Sequence, residues 1–169
     1  MPFIFSSWGA APFYVREEHL DRIQPDRFGH NQVAESLPDL HFRLEATAKK
    51  YEYAGLIYGA VAQLEAALGL VAQVGLARIE EHGVALAREL RDGVAKLGYE
   101  MFTPPDNPSA IVSFTHGRDP KEVKRVLRQE NISVTLREND TQIRASVALF
   151  NNRSDIAHLL RALETIARS

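Results

Sequence analysis

Apolar residues recur at helical spacing in two consecutive stretches near the middle of the chain, residues 55–75 and 76–98. The first stripe comprises Ile57, Ala60, Val61, Leu64, Leu68 and Val71. The second comprises Ile79, Leu86, Leu90, Val94 and Leu97. Because residues three and four apart share one face of a helix, each stretch predicts a helix. Gly75 and Gly98 stand where a glycine typically ends a helix.

The second half of the chain combines alternating and helical patterns. "YEMFT", "AIVSFTH", "ISVTLRE" and "TQIRASVAL" are typical of strands. Asp119 followed by Pro120 and Glu122 predicts a capped helix start, and a last helix is expected to begin near Asn152. The element order is helix, helix, strand, strand, helix, strand, strand, helix. It predicts an α+β fold, with a small, mainly antiparallel sheet and helices packed on one face.

The first fifty residues lack this regularity. "FIF" and "PFYV" suggest short strands, "REEHLDRI" suggests a short helix that ends before Pro25, and residues 26–40 are polar. Long polar loops are uncommon inside a compact domain. We therefore expect residues 1–50 to form an irregular arm that packs against another surface, and residues 51–169 to form the α+β domain.

Two arginines, Arg137 and Arg144, lie on the last pair of predicted strands. If Asn139 and Asp140 form a two-residue hairpin turn, Arg137 lies opposite Gln142, and Thr135 lies opposite Arg144. Alternation then places the apolar residues on one sheet face and both arginines, as diagonal neighbours, on the other. The helices must cover the apolar face, so Arg137 and Arg144 should point away from them.

This arginine pair is compatible with two interpretations. Guanidinium groups that lie close together repel each other unless an anion or an acidic side chain lies between them, and their fork matches a carboxylate. Arg137 and Arg144 would then form a carboxylate-binding site. Alternatively, they are ordinary solvated charges on an exposed sheet face.

Composition narrows the classes of function. The net charge of −2 argues against a nucleic-acid partner, since such proteins usually carry a basic excess. The absence of cysteine excludes disulfides and thiolate chemistry, and the six histidines show no metal-ligand spacing. No stretch reaches about 18 consecutive apolar residues, so we expect no membrane partner and a cytoplasmic location.

Three stretches together resemble the C-terminal domain of class V aminotransferases, which are fold-type I pyridoxal-phosphate (PLP) enzymes related to cysteine desulfurases and isopenicillin-N-epimerase-like proteins. "IRASVALFNNRSDIAHLLRAL" resembles the family's "R-x-S…Y-N-T-x-x-D-I-x-x-L" segment. "APFYVREEHLDRI" resembles the strand that follows the cofactor lysine. The helical stretch from "YEYAGLIYGA" to "VAKLG" resembles the beginning of the small domain. The likeness covers about residues 8–168.

The resemblance implies a role for Arg144, because the family's "R-x-S" arginine binds the substrate's α-carboxylate. Arg137 lies near the same place and is the second candidate substrate-binding residue. PLP is implied as the cofactor, but none of the five lysines stands in the family's position before "FYV". We therefore expect a C-terminal small domain that is not catalytic alone.

Any catalysis would then require a partner. The resemblance implies either a homo-oligomer, such as a dimer, or a separate chain that carries the missing large domain, with an amino acid or another carboxylate as ligand. The alternative is a non-catalytic module that binds a small molecule or a protein through the open sheet face.

Overall fold

The computed structural model describes residues 9–168, which divide into two compact units at the Leu70–Val71 junction. The strand expected at "FIF", residues 3–5, lies outside the described residues. The domain boundary near residue 50 stays a prediction.

The first unit contains a short antiparallel hairpin that the sequence pattern did not predict. Strand β1 spans Val33–Ser36 and pairs with β2, Phe42–Leu44. The strand expected at "PFYV" is wrong, since residues 12–15 form no strand and Tyr14 is 82% exposed. "REEHLDRI" forms only one 3-10 turn, Glu17–His19, instead of a longer helix.

A buried glutamine holds the loops of this unit together. The Gln32 side chain is fully buried, and its Oε1 accepts a hydrogen bond from the Gly29 N–H at 2.7 Å. Its Nε2 donates to the carbonyls of Arg27, at 3.0 Å, and Lys50, at 2.5 Å. One side chain therefore satisfies polar backbone groups of two segments that no sheet pairs.

Helix α1, Tyr58–Val74, ends before Gly75, as predicted. Gly75 has a φ of 90°, which is favourable only for glycine and explains the stop at this position. Only Ala60 and Ala67 of α1 are buried. Apolar residues such as Val61 and Leu68 remain exposed, so most of this helix has no covering layer.

The second unit has the predicted α+β architecture. The elements follow the predicted order: α2 (Leu76–Lys96), β3 (Glu100–Met101), β4 (Ile111–Thr115), α3 (Pro120–Gln129), β5 (Thr135–Arg137), β6 (Gln142–Ser146) and α4 (Arg153–Arg168). The sheet has the order β3–β4–β6–β5, and every neighbouring pair is antiparallel.

The core lies between this sheet and helices α2, α3 and α4. Its largest fully buried side chains in this unit come from the strands and from all three helices: Phe114, Leu90, Ile143, Leu163, Ile166, Val94, Val112 and Val123. The strand residues alternate between buried and partly buried positions. One sheet face is therefore packed, and the other carries the partly buried and exposed residues; we call this second face the open face.

Helix caps fix where two of these helices begin. The Asp119 carboxylate accepts from the Lys121 N–H at 2.9 Å, while the Glu122 carboxylate pairs with Arg125 instead of closing a capping box. At α4, Asn152 Oδ1 accepts from the Ser154 N–H at 2.8 Å, and Asp155 accepts in return from the Asn152 N–H at 3.0 Å. Such caps satisfy the first orphan N–H groups of a helix.

Candidate functional site

The β5–β6 hairpin has the register expected from the sequence. Thr135 pairs with Arg144, Leu136 with Ile143 and Arg137 with Gln142. Asn139 and Asp140 have φ values of 54° and 66°, as a two-residue hairpin turn with the twist of the flanking strands requires. The register places Arg137 and Arg144 on the same sheet face.

The remaining strands extend this polar face. Ser113 of β4 lies directly opposite Arg144, and Thr115 lies opposite Gln142. Glu100 of β3 pairs in turn with Thr115. Two cross-strand rows result: Ser113–Arg144–Thr135, and Glu100–Thr115–Gln142–Arg137. Hydroxyl and amide groups therefore surround the two arginines, with one carboxylate at the far end of a row.

Arg144 sits partly buried at the centre of this face. Its neighbours in sequence, Ile143 and Ala145, are 0% and 5% exposed on the packed side. Its Nε is buried and has no hydrogen-bond partner among the described residues. Buried N–H groups are rarely left unpaired in native proteins, so this atom distinguishes Arg144 from the other arginines of the described residues.

Arg137 is more exposed and occupies the end of edge strand β5. Within residues 9–168, no ion pair within 4.0 Å involves Arg137 or Arg144. By contrast, Arg125 pairs with Glu122, and Arg153 pairs with Glu89 at 3.3 Å. Among the described residues, no acidic side chain therefore neutralises either arginine of the open face.

His116 holds the hairpin turn to the end of β4, a role that the sequence analysis did not find. The imidazole is 3% exposed, and its Nδ1 accepts a hydrogen bond from the Arg118 N–H at 3.1 Å. The proton of the neutral ring is therefore on Nε2, which donates to the carbonyl of Asp140. Lys124 also forms an ion pair with the Asp140 carboxylate, at 2.5 Å.

A pocket of about 330 Å³ lies beside the end of β6, but neither Arg137 nor Arg144 lines it. Buried residues such as Leu90 and Ile156 line it on the helix side of the sheet. Asn151 and His158 lie at its polar border. We place the candidate site on the open face because that face carries the unneutralised charge.

The lysines of the second unit lie on helices, and those of the first unit make contacts within that unit. In the second unit, Lys96, Lys121 and Lys124 belong to helices α2 and α3. In the first unit, Lys49 pairs with Glu45 at 2.7 Å, and the buried Lys50 donates to the carbonyl of Leu20. The strands that form the face around Arg144 therefore carry no lysine of their own.

Comparisons with known proteins agree with this fold. The sequence model of the "Aminotransferase class-V" family matches residues 7–159. A probable cysteine desulfurase from Methanothermobacter thermautotrophicus is 25% identical over 94% of this chain and 44% of its own length. A second, from Halalkalibacterium halodurans, is 27% identical over 92% of this chain and 41% of its own length.

Solved structures of the same group share the architecture. The apo cysteine desulfurase from Thermococcus onnurineus superposes with a TM-score of 0.80 at 22% identity, covering 92% of this chain and 42% of that one. The cysteine desulfurase CsdA from Escherichia coli gives a TM-score of 0.77 at 25% identity, covering 92% and 41%. The chain therefore spans about two fifths of the length of these relatives.

Proposed function

Because the chain belongs to the class V aminotransferase family, we propose that its second compact unit binds the carboxylate of an amino acid through Arg144. The observation that carries the proposal is the β5–β6 register, which puts Arg144 on the open face beside Arg137. Among the described residues, Arg144 also has no acidic partner within 4.0 Å. A guanidinium group binds a carboxylate through its charge and its forked N–H donors.

Arg137 supports the same role from the neighbouring strand. Its charge raises the positive potential at Arg144, and the two charges repel each other in the absence of an anion. Binding a carboxylate relieves that repulsion. Thr135 and Ser113, opposite Arg144 on either side, contribute hydroxyl groups to the same patch.

The family implies PLP, which would supply electron-sink chemistry at the amino acid's α-carbon. The residues present do not fit a complete cofactor site, since the lysines of the second unit lie on helices away from the open strand face. We assign no catalytic step to this chain alone. We propose that a large domain supplies the cofactor lysine.

A partner polypeptide also accounts for the exposed surface of α1. This helix is apolar over most of its length, yet Leu68 is 49% exposed and Val61 is 41% exposed. Monomeric proteins rarely leave contiguous apolar patches uncovered. The second candidate function is a non-catalytic module that binds a small molecule or a protein. The sequence predicted that it would bind through the open sheet face, and the exposed apolar side of α1 offers a second surface for a protein.

The carboxylate proposal is tested by calorimetric titration of the protein with L-alanine at constant ionic strength, in a buffer without carboxylates. We expect Arg144→Gln to weaken binding about ten- to a hundredfold, the equivalent of one charge-assisted hydrogen-bonded pair. Arg128→Gln is the matched control, because it removes the same charge from α3 instead of the open face. Equal affinities for the wild type and Arg144→Gln would reject the proposal.

The cofactor part has a separate test. We expect PLP titration followed by borohydride reduction and peptide mass spectrometry to give only scattered lysine labelling. One stoichiometrically modified lysine would show that the chain holds its own cofactor.

A further inference from the structure

The open sheet face carries two cations, and we infer that its ligand is an amino acid with a second acidic group in the side chain. This inference rests on the proposed function, since Arg144 must hold the α-carboxylate. Arg137 would then bind the side-chain acid and determine specificity.

The register sets the distance between the two cations. Arg137 lies opposite Gln142, and Arg144 lies opposite Thr135, so the arginines are diagonal neighbours on adjacent strands. Diagonal neighbours have Cα atoms about 7–8 Å apart, within reach of long side chains on one face. A small ligand can therefore contact both guanidinium groups at once.

The nearby acids do not neutralise this pair. Glu100 stands in the same row as Arg137 but on β3, at the opposite edge of the sheet. Three strand spacings separate them, about 14 Å in all. The Asp140 carboxylate is paired with Lys124, and Glu138, with a φ of 50°, already belongs to the turn.

The charge balance distinguishes between classes of amino acid. A neutral amino acid offers one carboxylate and leaves Arg137 unmatched beside Arg144. An acidic amino acid offers one anionic group to each guanidinium and removes the repulsion between them. The curated relatives are described as probable cysteine desulfurases, and cysteine has one carboxylate, so this preference would distinguish the chain from them.

The test compares the affinities of the full 169-residue chain for L-alanine, L-aspartate and L-glutamate by titration calorimetry at fixed pH and ionic strength. We expect an acidic amino acid to bind about tenfold more tightly than alanine, since one charge-assisted bond at an exposed site lies at the low end of its range. Arg137→Gln should abolish that preference, so that aspartate and glutamate bind no more tightly than alanine does to the same variant. Arg128→Gln should keep the preference, because Arg128 lies on α3.

Two further ligands identify the second acidic group. Cysteate carries a sulfonate, and O-phosphoserine carries a phosphate. For each acidic ligand, the ratio of its affinity to that of alanine is compared between the wild type and Arg137→Gln. The ligand whose ratio falls most identifies the acidic group that Arg137 binds. Nuclear magnetic resonance (NMR) amide spectra of each variant confirm that the fold is retained.

The results separate the two proposals. If Arg144→Gln weakens alanine binding while Arg137→Gln leaves every affinity ratio unchanged, the carboxylate site stands and the acidic-ligand inference is overturned. If no amino acid binds the wild type, both fail. A preference for acidic ligands that also survives in Arg137→Gln contradicts the role of Arg137.

Discussion

At the scale of single residues, Arg144 shows which structural features can be predicted from alternating apolar and polar residues. Alternation and a two-residue turn were sufficient to predict the face and the partner of Arg144, because a hairpin register is determined by its turn. The same reasoning did not find His116. Its side chain contacts the backbone N–H of Arg118, two residues away, and the backbone carbonyl of Asp140 in a distant turn, and such contacts leave no periodic signal in the sequence.

His116 gives the first prediction. Replacing His116 by alanine leaves the Asp140 carbonyl and the Arg118 N–H without their partner, and we expect a loss of about 1–3 kcal/mol in the free energy of unfolding. Urea unfolding followed by circular dichroism measures it. The control His158→Ala removes an exposed contact with Glu130 and should cost less than about 1 kcal/mol. Equal losses would contradict a special role for His116.

Tyr99 gives a dependence on alkaline pH. Burial raises the pKa of its hydroxyl group, and the hydroxyl donates to the carbonyl of Leu163 at 2.6 Å. Because the folded pKa is raised, this contribution to stability is present below the unfolded tyrosine pKa of about 10 and is lost as the pH rises further.

The measurement for Tyr99 is the urea midpoint as a function of pH between about 8 and 11.5. The wild type should lose stability above about pH 10 more steeply than Tyr99→Phe, which has no proton to lose. Parallel curves for the two proteins would contradict this assignment.

At the scale of elements, helices were easier to predict than the short strands of the first unit. The stripes of α2 and α4 are long and bury one face, and Gly75, Asp119 and Asn152 mark ends by local chemistry. Strand β1 has one partly buried residue followed by three exposed ones, so it has no alternation to detect. The aromatic and β-branched residues of "PFYV" favoured a strand. These residues do not alternate between buried and exposed positions, however, and no neighbouring strand pairs with them.

Gly29 allows a close approach between two backbone segments of the first unit, and its substitution tests that approach. A Cβ at this position would lie 1.9 Å from the carbonyl oxygen of Tyr53, and a backbone atom cannot move aside cheaply. We expect Gly29→Ala to destabilise the Gln32 network by about 1–3 kcal/mol. Hydrogen exchange of the Gln32 amide, which donates to the Gly29 carbonyl, should accelerate about ten- to a hundredfold.

Gly55→Ala is the control for Gly29→Ala, because nothing lies within 4 Å of its added Cβ. If both variants leave the exchange of Gln32 unchanged, the close approach between Gly29 and Tyr53 is absent in solution.

At the scale of the whole molecule, sequence pattern indicated the family and the fold of the second unit but not what covers α1. Periodicity shows that a helix has an apolar face. Whether that face is buried depends on the surfaces that pack against it, and these cannot be identified from the pattern of one helix. Among the helices of residues 9–168, no single one is long and apolar enough to cross a membrane; α1 and α2 pass this test of length and composition only as a pair, which is bent by more than 40° at the break. The apolar surface of α1 therefore leads to a prediction about association.

We expect the chain to self-associate in a concentration-dependent manner through α1. Sedimentation velocity should show a larger monomer fraction after the double change Val61→Lys and Leu68→Lys, which places charge on two exposed apolar positions of one helix face. Gln63→Lys with Gln73→Lys adds the same charge at polar positions of α1 and should keep the association. A wild-type monomer at high concentration would contradict the prediction.

The central claim is that Arg144 binds a carboxylate, and the signal of its own side chain tests it most directly. The measurement is an NMR titration that follows the arginine Nε–Hε resonances while L-alanine is added at constant pH and ionic strength. We predict a saturable shift of the Arg144 resonance, assigned from its disappearance in Arg144→Gln, with no comparable shift at Arg128. An Arg144 resonance that stays in place while alanine saturates the protein would contradict the claim. The absence of any alanine binding to the wild type would contradict it as well.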